Sequence, residues 1–127
     1  MSNKIRNAMR LALDAELMEY QNIDRKIAVR QMELSIKNIF DLDSYMLEKN
    51  ESENKSDLVI YNLEIRKQTI ARLFMSFDKE EHDIAYHRWT KGRQWSEIED
   101  IMHMSEATLR RRKNKILDRY AKLKGLI

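Results

Sequence analysis

Arg110, Arg111, Arg112, Lys113 and Lys115 put five cations into six consecutive positions, with Asn114 between the last two. Just ahead of them, "HMS" at 103–105 separates two short apolar patterns. Side chains of these types donate hydrogen bonds to anions and to base edges; covalent chemistry is not their work. Arginine can donate twice to guanine O6 and N7, and asparagine can pair with adenine. On a helical wheel centred on Leu109, Ile116 and Tyr120, the opposite face carries Ala107, Arg110, Arg111, Asn114 and Asp118. Ala107, Arg110, Arg111 and Asn114 are therefore expected base contacts, and Glu106, at the helix start, is grouped with them. Lys91, Arg93, Lys113 and Lys115 are expected to touch phosphates, which position a protein without reading sequence. Ser105 and the amides after it could hold a further phosphate at the helix N-terminus.

These residues need a helix to present them and a second helix to seat it. Ser105 reads as the N-cap of the presenting helix, with Thr108, Leu109, Ile116, Leu117, Tyr120 and Leu123 as its inner side. The preceding helix has Ile98, Ile101 and Met102 on one face, with Met104 pointing inward at the turn. Its start is expected at Ser96, because "SEIE" matches a capping box closed by Glu99. Before it, Asp78 reads as an N-cap, with Glu80 and Glu81 in the first turn, where the helix dipole favours them. "TKGR" ends that helix, and Gly92 is placed to take positive φ. Together these are a helix–turn–helix arrangement.

Further upstream, Ile5 to Phe40 keeps an apolar stripe at helical spacing, including Met9, Leu13, Leu17, Ile23, Met32 and Ile36. It predicts one long kinked helix or two shorter ones. From Glu48 to Asp57 there is no apolar residue, so a surface connection is expected there. A second helix should open at Ser56 as N-cap, with an apolar face from Leu58, Tyr61, Leu63, Ile65, Ile70, Leu73 and Phe74. The expected fold class is all-α: an N-terminal helical hairpin over 1–76, with a polar loop at about 48–56, then a helix–turn–helix unit over 77–127. The hairpin's stripe needs covering, by self-association as a homodimer or by a protein partner.

Composition narrows the function. The chain has 127 residues, two Gly, no Pro and no Cys. Few breakers argue for helices, and the absence of thiols removes disulfides, thiolate metal sites and cysteine nucleophiles. Mean hydropathy is −0.70, no apolar run reaches a membrane span, and the N-terminus lacks a signal-peptide pattern, so a cytoplasmic protein is expected. The net charge of +3 is uneven: residues 1–77 hold 12 basic and 12 acidic residues, whereas 105–127 hold 8 basic and 2 acidic. A polyanion would meet the last helix. His82 and His87 are poorly spaced for a shared metal, so no metal is expected. The acids around His82 have no nucleophile beside them, so no enzyme and no cofactor are expected. Trp89 and Trp95 are expected in the core, and the eight Met residues are read as core filler.

The stretch "WSEIEDIMHMSEATLRRRKNKIL" resembles the helix–turn–helix of the ArpU/RinA-type phage late transcription regulators, which is similar in turn to region 4 of sigma factors. "ELMEY", the polar connection, "SD" and "SFDKEEHDIAYHRW" follow the same order, and the resemblance spans roughly Glu16 to Leu123. It departs from the pattern at Glu99, where a small residue is common, and at His103, where Gly or Asn is common. The resemblance implies an activator of late genes for packaging, morphogenesis or lysis. It would bind double-stranded promoter DNA in the bacterial host cytoplasm and act with host RNA polymerase. The alternative is a helical interaction adaptor, such as a small packaging subunit or a polymerase-binding protein without specific base contacts.

Overall fold

The computed structural model describes residues 3–40 and 57–127, and all regular structure within them is helical. The helices are α1 (Asn3–Met18), α2 (Ile23–Phe40), α3 (Leu58–Met75), α4 (Lys79–Ala85), α5 (Trp95–Met102) and α6 (Glu106–Leu123). A 3₁₀ turn, Tyr20–Asn22, divides the first apolar stripe, so the two-helix alternative holds. A π-helical turn, Tyr86–Thr90, continues α4. The expected polar connection at 48–56 and the expected Ser56 cap lie outside the described residues. Asp57 caps α3: its carboxylate accepts from the Ile60 N–H at 3.1 Å and its carbonyl from Tyr61 at 3.0 Å.

The chain divides into two compact units, 1–21 with 69–127, and 22–68. A boundary at 76/77 follows the order of elements along the chain. The units do not, because α1 belongs with α6. Arg10 donates to both carboxylate oxygens of Asp118 at 2.8 and 2.7 Å, and Glu16 accepts from the Tyr120 hydroxyl and from Lys124 Nζ, each at 2.6 Å. The core of this larger unit is built from Leu13 and Leu17 of α1, Ile70 and Leu73 of α3, Ile84 and Trp89, Ile98 of α5, and Leu109, Ile116, Leu117 and Tyr120 of α6. Each fully buried aliphatic side chain contributes roughly 1.5–3 kcal/mol.

Several expected core positions are not core. Ile101 and Leu123 are largely exposed. No described methionine is buried: Met9, Met18, Met102 and Met104 are half-buried, and Met32 and Met75 face solvent. The branched and aromatic side chains fill the interior, and the unbranched methionines border it.

In the smaller unit Ile23, Leu34 and Ile60 are buried, while Val29, Met32, Ile36, Leu58, Val59, Tyr61 and Ile65 are exposed. Here only part of the sequence stripe, Ile23 and Leu34, marks buried residues. Two helices alone lack the area to cover both apolar faces. Arg30 donates to Asp57 at 2.9 Å, drawing that carboxyl below its ordinary pKa, and Lys67 meets Asp24 at 2.6 Å. The second pair is exposed on both sides and adds little stability.

Candidate nucleic-acid interface

Local chemistry sets the start of α6. Ser105 has extended backbone, and its hydroxyl accepts from the Thr108 N–H at 3.1 Å, as an N-cap does. His103 takes the left-handed conformation, φ 53° and ψ 45°, and its N–H and that of Met104 both reach the Glu99 carbonyl. The turn from α5 to α6 is thus only His103, Met104 and Ser105. Gln94, not Ser96, is the N-cap of α5, and it makes no side-chain capping bond, so the expected Ser96–Glu99 box is absent. The helix already starts at Trp95, because the Glu97 and Ile98 N–H groups bond the Gln94 carbonyl and leave Ser96 inside the first turn.

At the other start the box is real. The Asp78 carboxylate accepts from the Glu81 N–H at 2.8 Å, and Glu81 accepts from the Asp78 N–H at 3.1 Å. Glu81 is buried and takes two more bonds from Arg119, at 3.2 and 2.8 Å, which clamps α4 to α6. The π turn ends as expected at Gly92, φ +69°. A Cβ there would meet only the Met18 terminal methyl at 3.9 Å, so the left-handed φ and not crowding favours glycine.

Asp14 is the hub that seats α5 and the π turn. It is a buried carboxylate that accepts from Arg88 at 3.2 and 2.7 Å, from the Trp89 indole at 2.8 Å and from the Trp95 indole at 3.3 Å. Trp89 is buried and packs edge-to-face on Trp95, with ring centroids 5.9 Å apart. The Trp95 ring also carries the Arg88 guanidinium at 5.0 Å and Lys113 Nζ at 5.1 Å. Sequence reading missed Asp14 and Arg10, and took Glu81 only as a first-turn acid, not as the capping-box partner and the anchor of Arg119. Their signals were an acid and a base bordering the Leu13–Leu17 stripe, and the Asp-x-x-Glu spacing of 78–81.

Around this scaffold Ala107, Arg110, Arg111, Asn114 and Lys115 line one open groove along α6, together with Asp118. Arg110 has only a loose, exposed pair with Glu106 at 3.6 Å, so Glu106 stands beside the groove as Arg110's partner. Arg111 and Lys115 are exposed and have no ion pair among the described residues. Asp118 would oppose an anion here, but Arg10 holds it. The hydrogen bonds from Arg10 outweigh its burial and, with the fields of Arg10 and Arg6, lower its pKa.

The expected phosphate contacts are less uniform. Ser105 is exposed at the head of α6. Lys91 is exposed and stands over the Tyr86 ring at 5.4 Å, and Arg93 is half-buried with its guanidinium on His87 Nδ1. Lys113 is half-buried rather than free. Burial lowers its pKa, Asp14 opposes that, and Arg88, Arg110 and Arg10 add to the lowering. Arg112 pairs with Glu80 at 3.0 Å. Chemically, the groove offers bidentate donors, one carboxamide and one small residue to a polyanion with hydrogen-bonding edges.

No helix of the described residues is long and apolar enough to cross a membrane. No curated protein and no solved structure matches the chain. A family described as "Protein of unknown function (DUF722)" matches residues 9–122, and the chain belongs to that family.

Proposed function

We propose that this protein is a sequence-specific, double-stranded-DNA-binding transcription regulator. In this reading α5, the turn at 103–105 and α6 act as a helix–turn–helix, with α6 entering the major groove. The observation that carries it is the groove of Ala107, Arg110, Arg111, Asn114 and Lys115, whose one acid, Asp118, is already neutralised by Arg10. A merely solvated helix face would not need its acid tied away from its cations. Arg110, Arg111 and Asn114 then read base edges, while Lys115, Ser105 and Lys91 meet phosphates. Activation of late phage genes together with host RNA polymerase is what the resemblance to ArpU/RinA-type regulators adds. The exposed apolar residues of α2 and α3 favour a protein contact for those helices, with a second copy or with polymerase.

Selection of bound duplexes from a random pool at about 150 mM salt, where non-specific binding is weak, tests the reading. The expected outcome is one enriched motif that Arg111→Ala abolishes. Binding without enrichment, vanishing as salt rises, would refute sequence-specific recognition.

A further inference from the structure

The surface beside α6 does not end at α6. Arg110 and Asn114 also line a second groove whose opposite wall is α1, at Asn7, Arg10 and Leu11. Arg88 and Lys113 lie along the same groove. Four cations, Arg10, Arg88, Arg110 and Lys113, thus line it against one carboxylate, Asp14. That carboxylate is buried and already holds Arg88 and both indoles, so it cannot neutralise a second cation. Arg10 is likewise held by Asp118, and Arg110 only loosely by the exposed Glu106, so Arg110 and Lys113, which lies over the Trp95 ring, are the cations left to an outside anion in this groove. On the α1 wall Leu11 is 73% exposed. Asn7 is exposed too, and its side-chain oxygen accepts from Arg10 at 3.3 Å, which leaves its side-chain N–H donors to an outside acceptor.

We propose that α1 is the second wall of the DNA site, with Asn7 donating to a backbone phosphate of the duplex seated on α6 and Leu11 lying against its sugar. This rests on the DNA-binding reading of α6, because Arg110 and Asn114 are shared by both grooves. A phosphate there sits in the field of Arg110 and Lys113, Arg10 being paired with Asp118. The contact adds affinity and fixes orientation but reads no base.

The test uses the full-length protein with a photo-reactive phenylalanine analogue in place of Leu11, or in place of Met75, which is 86% exposed and lines neither groove. Each is irradiated with the pool-selected duplex and with a random duplex. Cross-linking from position 11 to both duplexes, and not from position 75, is expected. In parallel, Asn7→Asp should weaken both duplexes by the same factor, roughly tenfold, the worth of one hydrogen bond to a charged group. Its melting temperature should hold, since an acid suits the first turns of a helix. Lys79→Gln makes the same one-charge change outside both grooves and should alter binding less than twofold. Should the wild type bind in an Arg111-dependent way while position 11 stays uncross-linked and Asn7→Asp binds normally, the α1 wall is wrong and the α6 reading stands. Absence of any duplex binding overturns both. Cross-linking of position 11 to an added acidic peptide but to neither duplex would assign the groove to a protein partner and overturn the proposal.

Discussion

In the C-terminal half of α6, Arg119 donates to the buried Glu81, and Lys124, just beyond the helix, donates to Glu16. In the N-terminal half, Arg110 has only an exposed Glu106 and Arg111 has no ion pair among the described residues; nor has Lys115, at the middle of the helix. The residue types match, and their uses are opposite. An arginine whose carboxylate is supplied by the fold works for the fold; one without it is available to an outside anion. What decides is the position of each cation relative to α1 and α4, which bring the acids. A run of basic residues is therefore not one feature: Arg112 and Lys113 stand within the run and are both held internally.

The comparison is broken most severely at Asp14. Asp14→Ala would leave the half-buried Arg88 without its carboxylate and two indole N–H groups unbonded, at about 3 kcal/mol. Urea unfolding measures that loss, and a change under 1 kcal/mol would remove Asp14 from its place as hub. Next comes the direct contrast on α6. Arg119→Ala strands the buried Glu81 and should cost about 2–3 kcal/mol of stability. Arg111→Ala should leave stability within about 0.5 kcal/mol and cost about 1–3 kcal/mol of binding to the selected duplex. Equal unfolding curves for the two variants would erase the distinction between the two arginines.

Smaller effects sharpen it. His103 holds a left-handed backbone that costs a side-chain-bearing residue about 1 kcal/mol, so His103→Gly should raise the unfolding free energy by up to about that amount. A drop instead would mean that the imidazole itself stabilises the turn. The smallest expected effect is on pH. Asp118 has a lower pKa folded than unfolded, so its bridge to Arg10 contributes fully above the unfolded carboxylate range. The contribution is lost as pH falls through the folded value, below about pH 4. Asp118→Asn should flatten that acid limb, and an unchanged limb would show that the bridge carries no linkage.

Sequence alone determined what depends on neighbours along the chain. Helical class followed from apolar spacing and the shortage of breakers. Asp78, Gly92 and Ser105 were legible as cap positions because a cap is a contact within a few residues. The outward set Ala107, Arg110, Arg111 and Asn114 was legible because helix geometry fixes which side chains oppose Leu109, Ile116 and Tyr120. The tertiary structure decided what depends on residues far apart in sequence. It joined α1 to α6 through Arg10–Asp118 and Glu16–Tyr120, and buried Asp14 between two tryptophans and Arg88. It left part of the stripe of α2 and α3 exposed, and put Lys113 over Trp95. Burial and ion pairing are set by what lies across a helix–helix contact, and periodicity on one helix carries no information about the partner that will face it.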